Sequence, residues 1–265
     1  MDRLTVHIEG IGFWVPGIAD WPAAKHALNG EIALTGDVGA KPSPAILPPT
    51  ERRRAPESVL IAAEAAGQAC AMAARDPATL ACVFTSTHGD LALTDAMCAT
   101  LASDPRELSP TRFHNSVHNA PSGYWTVATH CHASATAISA WHGSFAAGLL
   151  EAAIEVHAER NPVLLVAYDI AARGPLVEVA PSTLPFALAF VLSAESSASS
   201  HASLRIRHDA RAANATGVPA TFATLLGNPM AAQALPLLLA IAQGRTTEVI
   251  MESGKDTALL VEVAP

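Results

Sequence analysis

The residues best suited to chemistry lie in one stretch, Asn115–Gly148, and the reactive group there is the thiol of Cys131, flanked by His130 and His132. A thiol becomes nucleophilic where the backbone N–H groups and the dipole of a helix N-terminus lower its pKa. Before Cys131, the segment Tyr124–Thr129 is typical of a short β-strand. After it, apolar residues recur at the three- and four-residue steps of a helix: Ile138, Trp141, Phe145 and Leu149. We therefore predict that Cys131 lies at a strand-to-helix turn, the position of a nucleophile.

The histidines of this region allow two other interpretations. His130 and His132 could polarise the thiol, but side chains next to each other in sequence point in different directions. Because covalent catalysis requires a base within hydrogen-bond reach, we favour a packing role for Cys131 over a catalytic one. A zinc site needs three or four ligands that converge tetrahedrally. His114 and His118 are four residues apart, but this spacing combined with Cys131 matches no known zinc finger. We favour histidines that are hydrogen-bonded within the fold, and we expect no metal.

A second polar cluster, Ser86–Asp90, contains a serine, a histidine and an aspartate in the sequence STHGD. The members of a catalytic triad normally converge from distant segments, and the chain has no Gly-x-Ser-x-Gly motif. We interpret the cluster as a polar turn at the end of a strand. A cysteine or serine hydrolase stays open as a third hypothesis.

The elements that must position these residues follow from the pattern of apolar runs. The predicted strands are Leu4–Ile11, Leu80–Thr85, Pro162–Tyr168, Leu184–Leu192, Leu204–Ala213, and a hairpin of Val249–Met251 with Ala258–Val263. The predicted helices are Trp21–Leu28, Ala55–Ala74, Leu91–Leu101 and Pro229–Gln243, with loops at Asp37–Thr50 and Ser103–Phe113. Several of these strands lack alternation, which indicates a sheet covered on both faces. No linker is evident, so we predict one compact α/β domain over residues 1–265.

Composition excludes several classes of function. Half of the 265 residues are hydrophobic, 15% are charged, and the net charge is −8. The only basic cluster is Arg52–Arg54, which argues against nucleic-acid binding and restricts any acidic partner to that cluster. Signal-peptide and membrane-spanning patterns are missing. The four cysteines lack a Cys-x-x-Cys spacing, so we expect a reducing, cytoplasmic location, with Cys70, Cys82 and Cys98 buried as small apolar residues.

Several segments resemble one known family. Thr129–Ser134 resembles the Thr-Ala-Cys-Ser-Ser-Ser corner of the β-ketoacyl synthases, and the seventeen residues from Cys131 to Gly148 match the spacing in those enzymes. Other segments resemble the family's later strand, its late Gly-His helix, and a helix opened by arginines: Phe186–Ser193, Leu226–Gly244 and Glu51–Ala63. The chain thus resembles the β-ketoacyl synthase branch of the thiolase-like fold.

The resemblance implies an α/β fold layered α-β-α-β-α and built from two halves. The chain is about 150 residues shorter than such a pair of halves, so we expect an N-terminal half over residues 1–195 and a reduced C-terminal half over 196–265. The similarity is closest to short ketosynthase-like proteins of aryl-polyene and xanthomonadin-type pigment pathways, which resemble chain-length factors. The segment Asn115–Trp125 is the most characteristic part.

The resemblance also implies which catalytic groups should be present. Decarboxylative condensation needs a thiolate, two donor groups from histidines and an oxyanion hole. One histidine motif, His-Gly-Thr-Gly-Thr, has no convincing counterpart, and Asn228 stands where the other histidine is expected. The first hypothesis is therefore a non-catalytic chain-length-factor-like subunit. The alternative is an active condensing or acyl-transferring enzyme that uses Cys131 and Asn228.

The resemblance finally implies the partners. The expected partners are an active ketosynthase, in a heterodimer, and an acidic acyl carrier protein; no cofactor is expected. The candidates for the dimer interface are Asn119, Tyr124, Trp125 and Trp141. The candidates for carrier docking are Arg52, Arg53 and Arg54.

Overall fold

The computed structural model describes residues 3–32, 41–180, 182–209 and 215–265. Its strands are β1 (Leu4–Trp14), β2 (Ala81–Thr85), β3 (Ala135–Ile138), β4 (Val163–Asp169), β5 (Phe186–Ser193), β6 (Ala202–Asp209), β7 (Thr247–Gly254) and β8 (Thr257–Ala264). Its α-helices are α1 (Trp21–Leu28), α2 (Pro49–Arg54), α3 (Glu57–Met72), α4 (Leu91–Ser103), α5 (Pro110–Asn115), α6 (Ala120–Thr129), α7 (Ser144–Glu159), α8 (Ala223–Leu226) and α9 (Pro229–Ala242). None of these helices is long and apolar enough to span a membrane.

The eight strands form one sheet in the order β3-β2-β4-β5-β1-β6-β8-β7. The strands β3, β2 and β4 are parallel, and the other pairs are antiparallel. The helices α4 to α6 connect β2 to β3, and α7 connects β3 to β4, as parallel pairing requires long connections. The carboxyl ends of β2, β3 and β4 therefore meet at one edge of the sheet.

On one face of the sheet, α3 packs closely against β1. A Cβ atom on Gly12 would lie 1.8 Å from the carbonyl oxygen of Ala65, and one on Gly10 would lie 2.1 Å from that of Ala69. The two glycines therefore let the helix and the strand approach so closely that no side chain would fit between them. The predicted strand Leu4–Ile11 is too short, because β1 continues through Gly12 to Trp14.

On the other face, α7 and α9 lie between two parts of the sheet. The helix α7 contacts β2, β4 and β7, and α9 contacts β4, β7 and β8. Four strands separate β4 from β7, a span of about 24 Å in a flat sheet. A helix about 10 Å wide contacts both strands only because the sheet curls around it. One apolar core consequently draws residues from both ends of the chain.

The strands β6, β7 and β8 turn a charged surface outward. Arg205 pairs with Glu262 at 3.6 Å, and Arg207 pairs with Glu248 at 3.7 Å. All four side chains are partly exposed, so this surface offers solvated charges where a further helix layer would need apolar residues. The described ranges thus give four layers, α-β-α-β, of the five that the resemblance implies.

The region between β2 and α7 differs most from its prediction. Tyr124–Thr129 is part of the helix α6 and not a strand, because Pro121, Trp125 and Thr129 are buried at helical spacing. The strand β3 was not predicted, and α5 begins within the predicted loop Ser103–Phe113 and continues to Asn115. Pro56 separates α2 from α3. Parts of the predicted loop Asp37–Thr50 and of the strand Leu204–Ala213 fall outside the described residues.

Candidate functional site

The sharp corner between a partly exposed edge strand and a helix lies at residues 139–143, between β3 and α7. Trp141 adopts the left-handed backbone conformation there, with φ of 53°. The hydroxyl of Ser144 closes the turn, because it accepts a hydrogen bond from the N–H of Ala140 (2.9 Å) and donates one to the carbonyl of Trp141 (2.7 Å). A strained strand-to-helix turn of this kind is where nucleophiles are exposed in several enzyme classes. In this chain the corner residue is a tryptophan.

Cys131 lies elsewhere, so its predicted position is wrong. It follows the end of α6, where its N–H donates to the carbonyl of Thr126 (3.0 Å) and its thiol donates to the carbonyl of Leu80 (3.2 Å). Leu80 precedes β2, which places Cys131 at the amino ends of the parallel strands. The corner is at their carboxyl ends, roughly 13 Å away for a four-residue strand such as β3. The thiol is 6% exposed, and no described side chain forms a hydrogen bond with it.

A polar turn, residues 86–90, supports the corner from β2. The buried carboxylate of Asp169, at the end of β4, accepts hydrogen bonds from the hydroxyl of Ser86 (2.7 Å) and from the N–H (2.8 Å) and hydroxyl (2.6 Å) of Thr87. Burial raises the pKa of Asp169 above its usual value, although these donors oppose the shift. The hydroxyl of Ser139 donates to the carbonyl of Thr87 at 2.9 Å, so the turn and the corner are fixed to each other.

Two imidazoles hold the indole of Trp141 from its sides. The ring of His88 meets it edge-on at a centroid distance of 4.8 Å, and the ring of His142 does so at 5.2 Å. Burial, and to a smaller degree the charge of His142, lower the pKa of His88, which favours a neutral imidazole at pH 7. The indole remains 53% exposed. The corner therefore presents a rigidly held apolar ring to its surroundings.

The hydrolase and metal interpretations find no supporting geometry. Ser86 bonds to Asp169, and Asp90 accepts from Ser58 (2.8 Å) and caps α4 through the N–H of Leu93 (2.9 Å). His88 faces Trp141, so Ser86, His88 and Asp90 do not form a triad. His118 lies with its Nε2 3.1 Å from the carbonyl of Ser86. In the described part of the chain, no three histidine, cysteine, aspartate or glutamate side chains are grouped to hold a metal ion.

Asn228 occupies a structural position at the start of α9. Its side-chain oxygen accepts from the N–H of Ala231 (3.1 Å), and its amide donates to Ser182 (3.2 Å) and to the carbonyl of Leu184 (2.9 Å). The residue is fully buried, and both amide hydrogens have partners. This geometry makes Asn228 a helix cap and leaves it no free donor, and its partners do not include Cys131.

The interface candidates divide into buried and exposed residues. Trp125 is 0% exposed, so its side chain belongs to the core and cannot contact a partner. Tyr124 is half-buried and donates to Asn115 (3.1 Å), whereas Asn119 and Trp141 are exposed. Cys98 is also exposed on α4, contrary to the prediction that it is buried.

The arginine cluster lies on α2 at the side of a groove. Arg52 donates to the hydroxyl of Ser43 at 2.9 Å, and Arg53 and Arg54 are exposed. The groove has a volume of about 1130 Å³, and Arg54, His114 and His130 contribute to its walls. Its apolar lining consists of aliphatic residues and one tyrosine: Leu47, Val117, Ala120, Tyr124, Val127 and Ala128.

Sequence reasoning missed the corner itself. The segment Ser139–Ser144, SAWHGS, has the small and polar composition of a turn between an apolar run and a helix, and this was the available signal. The left-handed backbone of Trp141 and its exposure could not be read from the sequence, because Cys131 lies in a similar local pattern.

The fold and the corner together define a thiolase-like α/β protein of the ketosynthase type. The chain is 22% identical to a chain from the complex of the ketosynthase ApeO with its chain length factor ApeC from Xenorhabdus doucetiae, with a TM-score of 0.71 over 98% of this chain and 99% of that one. It is 12% identical to a chain of the ishigamide ketosynthase/chain length factor, with a TM-score of 0.69 over 98% and 100% of the two chains. For a β-ketoacyl synthase from Burkholderia phymatum, the identity is 12% and the TM-score is 0.66 over the whole of both chains. These structures share the fold.

The sequence model described as "Beta-ketoacyl synthase, N-terminal domain" matches residues 27–252. No curated protein sequence matches the chain. The family model covers most of the 265 residues, and the chain belongs to the β-ketoacyl synthase family.

Proposed function

We propose that the protein is a chain-length-factor-like subunit that pairs with an active ketosynthase and bounds the length of the acyl chain that the ketosynthase builds. The observation that carries the proposal is Trp141 at the corner between β3 and α7. The resemblance to the synthases implies a cysteine on such a corner, and an indole can neither carry an acyl group nor attack a thioester. The nearest cysteine in sequence, Cys131, lies at the amino ends of the parallel strands, opposite to the corner, and its thiol donates a hydrogen bond to a backbone carbonyl.

The edge strand β3 supports the pairing. It is the first strand of the sheet, and no described strand covers its outer side. The N–H of Cys82 bonds to the carbonyl of Ser134, and that of Ser86 bonds to the carbonyl of Ile138. The backbone N–H and C=O groups of successive residues in a strand point to opposite sides. Since Ser134 and Ile138 face β2, Ala135 and Ala137 direct their N–H groups away from β2. An open edge of this kind is a template for a strand of another subunit.

Exposed apolar side chains, including Trp141 at the corner, support a partner of similar kind. They lie on α4, α5, the loop after α5, the corner, the 3₁₀ turn Gly174–Glu178 and the residue that follows this turn: Leu101, Phe113, Val117, Trp141, Val177 and Val179. The helix α4 contacts both α5 and the 3₁₀ turn, so these three elements adjoin. Apolar residues left exposed in adjoining elements are typical of a surface that a partner covers.

The proposal also includes the carrier-docking surface, the pathway, the location and the domain organisation of the protein. We place the carrier-docking surface at Arg52, Arg53 and Arg54, beside the groove between α2, α5 and α6, because this cluster is basic in a chain of net charge −8. The pathway is of the aryl-polyene or xanthomonadin pigment type, on the resemblance of Asn115–Trp125, and the location is the cytoplasm. The chain acts as one domain, with a half up to residue 195 and a reduced half from residue 196.

Co-expression with candidate ketosynthases, followed by size-exclusion chromatography and intact-complex mass measurement, tests the proposal. We expect a one-to-one complex that elongates carrier-bound acyl chains, whereas this chain alone forms no carbon–carbon bond. Condensation by the isolated chain, lost in Cys131→Ala, would establish the alternative enzyme that uses Cys131.

A pair of variants tests the edge. Ala137→Pro removes an outward N–H without breaking a bond to β2, and Ala137→Val keeps that N–H. We expect the proline variant to stay folded and lose the complex, and the valine variant to keep it. Equal complex formation by the two variants would show that β3 is not the paired edge.

A further inference from the structure

We propose that Trp141 determines the product length, because its indole forms the end wall of the space that the partner's growing acyl chain enters. The occupant is the methyl end of an apolar acyl chain held as a thioester on the partner subunit. The inference rests on the proposed function, and it assigns the length limit to one side chain.

The first argument is the conformation of Trp141. A tryptophan in the left-handed region is unfavourable, and such residues persist where the surrounding structure fixes them. Here Ser144 bonds to the backbone on both sides of the residue, and His88 and His142 hold the ring. The position of the indole is therefore set before any partner binds, as a wall of defined position requires.

The second argument is the chemical character of the corner. The indole is 53% exposed, whereas the chain buries Trp125 completely. The residues before it, Ser139 and Ala140, are small and exposed, so nothing in the described chain covers the outer part of the ring. Burial lowers the pKa of His88, which favours a neutral imidazole on that side of the indole near pH 7. An exposed apolar ring suits the end of a hydrocarbon chain.

The third argument is distance. When two subunits of one fold pair their equivalent edge strands about a two-fold axis, the strands run antiparallel. The corner that follows each strand then lies at the opposite end of the pair, which for a four-residue strand and its turn is on the order of 15–25 Å from its counterpart. An acyl chain extends by about 2.5 Å for each two-carbon unit, from standard carbon bond lengths. A chain on the partner's nucleophile would therefore reach Trp141 after about six to ten units.

Product analysis of complexes that carry variants of this chain tests the inference. Trp141→Ala, Trp141→Phe and the control Ile154→Ala are each co-purified with the ketosynthase, and products are measured by mass spectrometry at equal complex concentration. Ile154 is an apolar residue on α7, the helix that follows the corner, and is 39% exposed. We expect Trp141→Ala to lengthen the main product by about one or two two-carbon units of about 2.5 Å each, Trp141→Phe to lengthen it less, and Ile154→Ala to leave it unchanged.

The outcomes separate the two proposals. Complexes that elongate with unchanged product length in both Trp141 variants overturn the inference and leave the proposed function intact. Loss of the complex in both variants also overturns it, because Trp141 would then be an interface anchor. Failure of the unaltered chain to pair with any ketosynthase overturns the proposed function itself.

Discussion

Replacement of Trp141 by glycine and by alanine tests the left-handed corner, because both changes remove the indole and differ only in the backbone. Alanine at φ of 53° keeps a left-handed penalty of about 1–2 kcal/mol. Glycine relieves that penalty but costs about 0.5–1 kcal/mol through the larger entropy of its unfolded chain. The balance favours the glycine variant by about 0.5–1 kcal/mol.

Ile154 on α7 provides the matched control. It is exposed and right-handed helical, so glycine there should be about 1 kcal/mol less stable than alanine. Urea unfolding, followed by both circular dichroism and tryptophan fluorescence to establish a two-state transition, gives the four free energies. The predicted result is opposite signs at the two positions. A glycine variant less stable than the alanine variant at both positions would show that residue 141 is not the corner.

Three further predictions concern the packing and the buried polar groups. Gly12→Ala should lower the free energy of unfolding by about 3 kcal/mol or more, because its Cβ would lie 1.8 Å from a backbone oxygen of α3. Gly67→Ala has open space around its Cβ and should raise the free energy of unfolding by about 0.5–1 kcal/mol. Equal effects of the two variants in urea unfolding would contradict the close packing. Burial raises the pKa of Asp169 above its ordinary value of 3.8. The contribution of this group to the free energy of unfolding is therefore complete below pH 3.8 and is lost as the pH rises through the folded-state pKa. The unaltered chain should therefore lose stability relative to Asp169→Asn between pH 4 and 8, and a constant difference would refute this. Thiol alkylation of the native chain at pH 8, located by peptide mass spectrometry, should modify the exposed Cys98 first; faster modification of Cys131 would indicate an activated nucleophile.

The sequence was informative where apolar runs are long or have strong end signals. The strands β2, β4 and β5 come from continuous apolar segments, and α9 begins at Pro229 directly after its cap, Asn228. These features depend only on neighbouring residues, so they can be recognised in the sequence without knowledge of the rest of the fold. The family resemblance also depended on such segments, and the match over residues 27–252 confirms it.

The candidate site was harder to predict because its position depends on β3. This strand has four residues and lies at an edge, where partial exposure removes the apolar run that marks a central strand. Once β3 is missed, the helix that follows is assigned too early, and Cys131 is placed at a corner that Trp141 occupies. The helical spacing of Pro121, Trp125 and Thr129 could have corrected the error.

The measurement that tests the account most directly is intact mass spectrometry of the ketosynthase complex after incubation with an acyl donor. If the corner of this chain has no nucleophile, the acyl mass appears on the partner subunit alone, and Cys131→Ala leaves both the acylation and the product yield unchanged. An acyl adduct on this chain that disappears in Cys131→Ala would contradict the account.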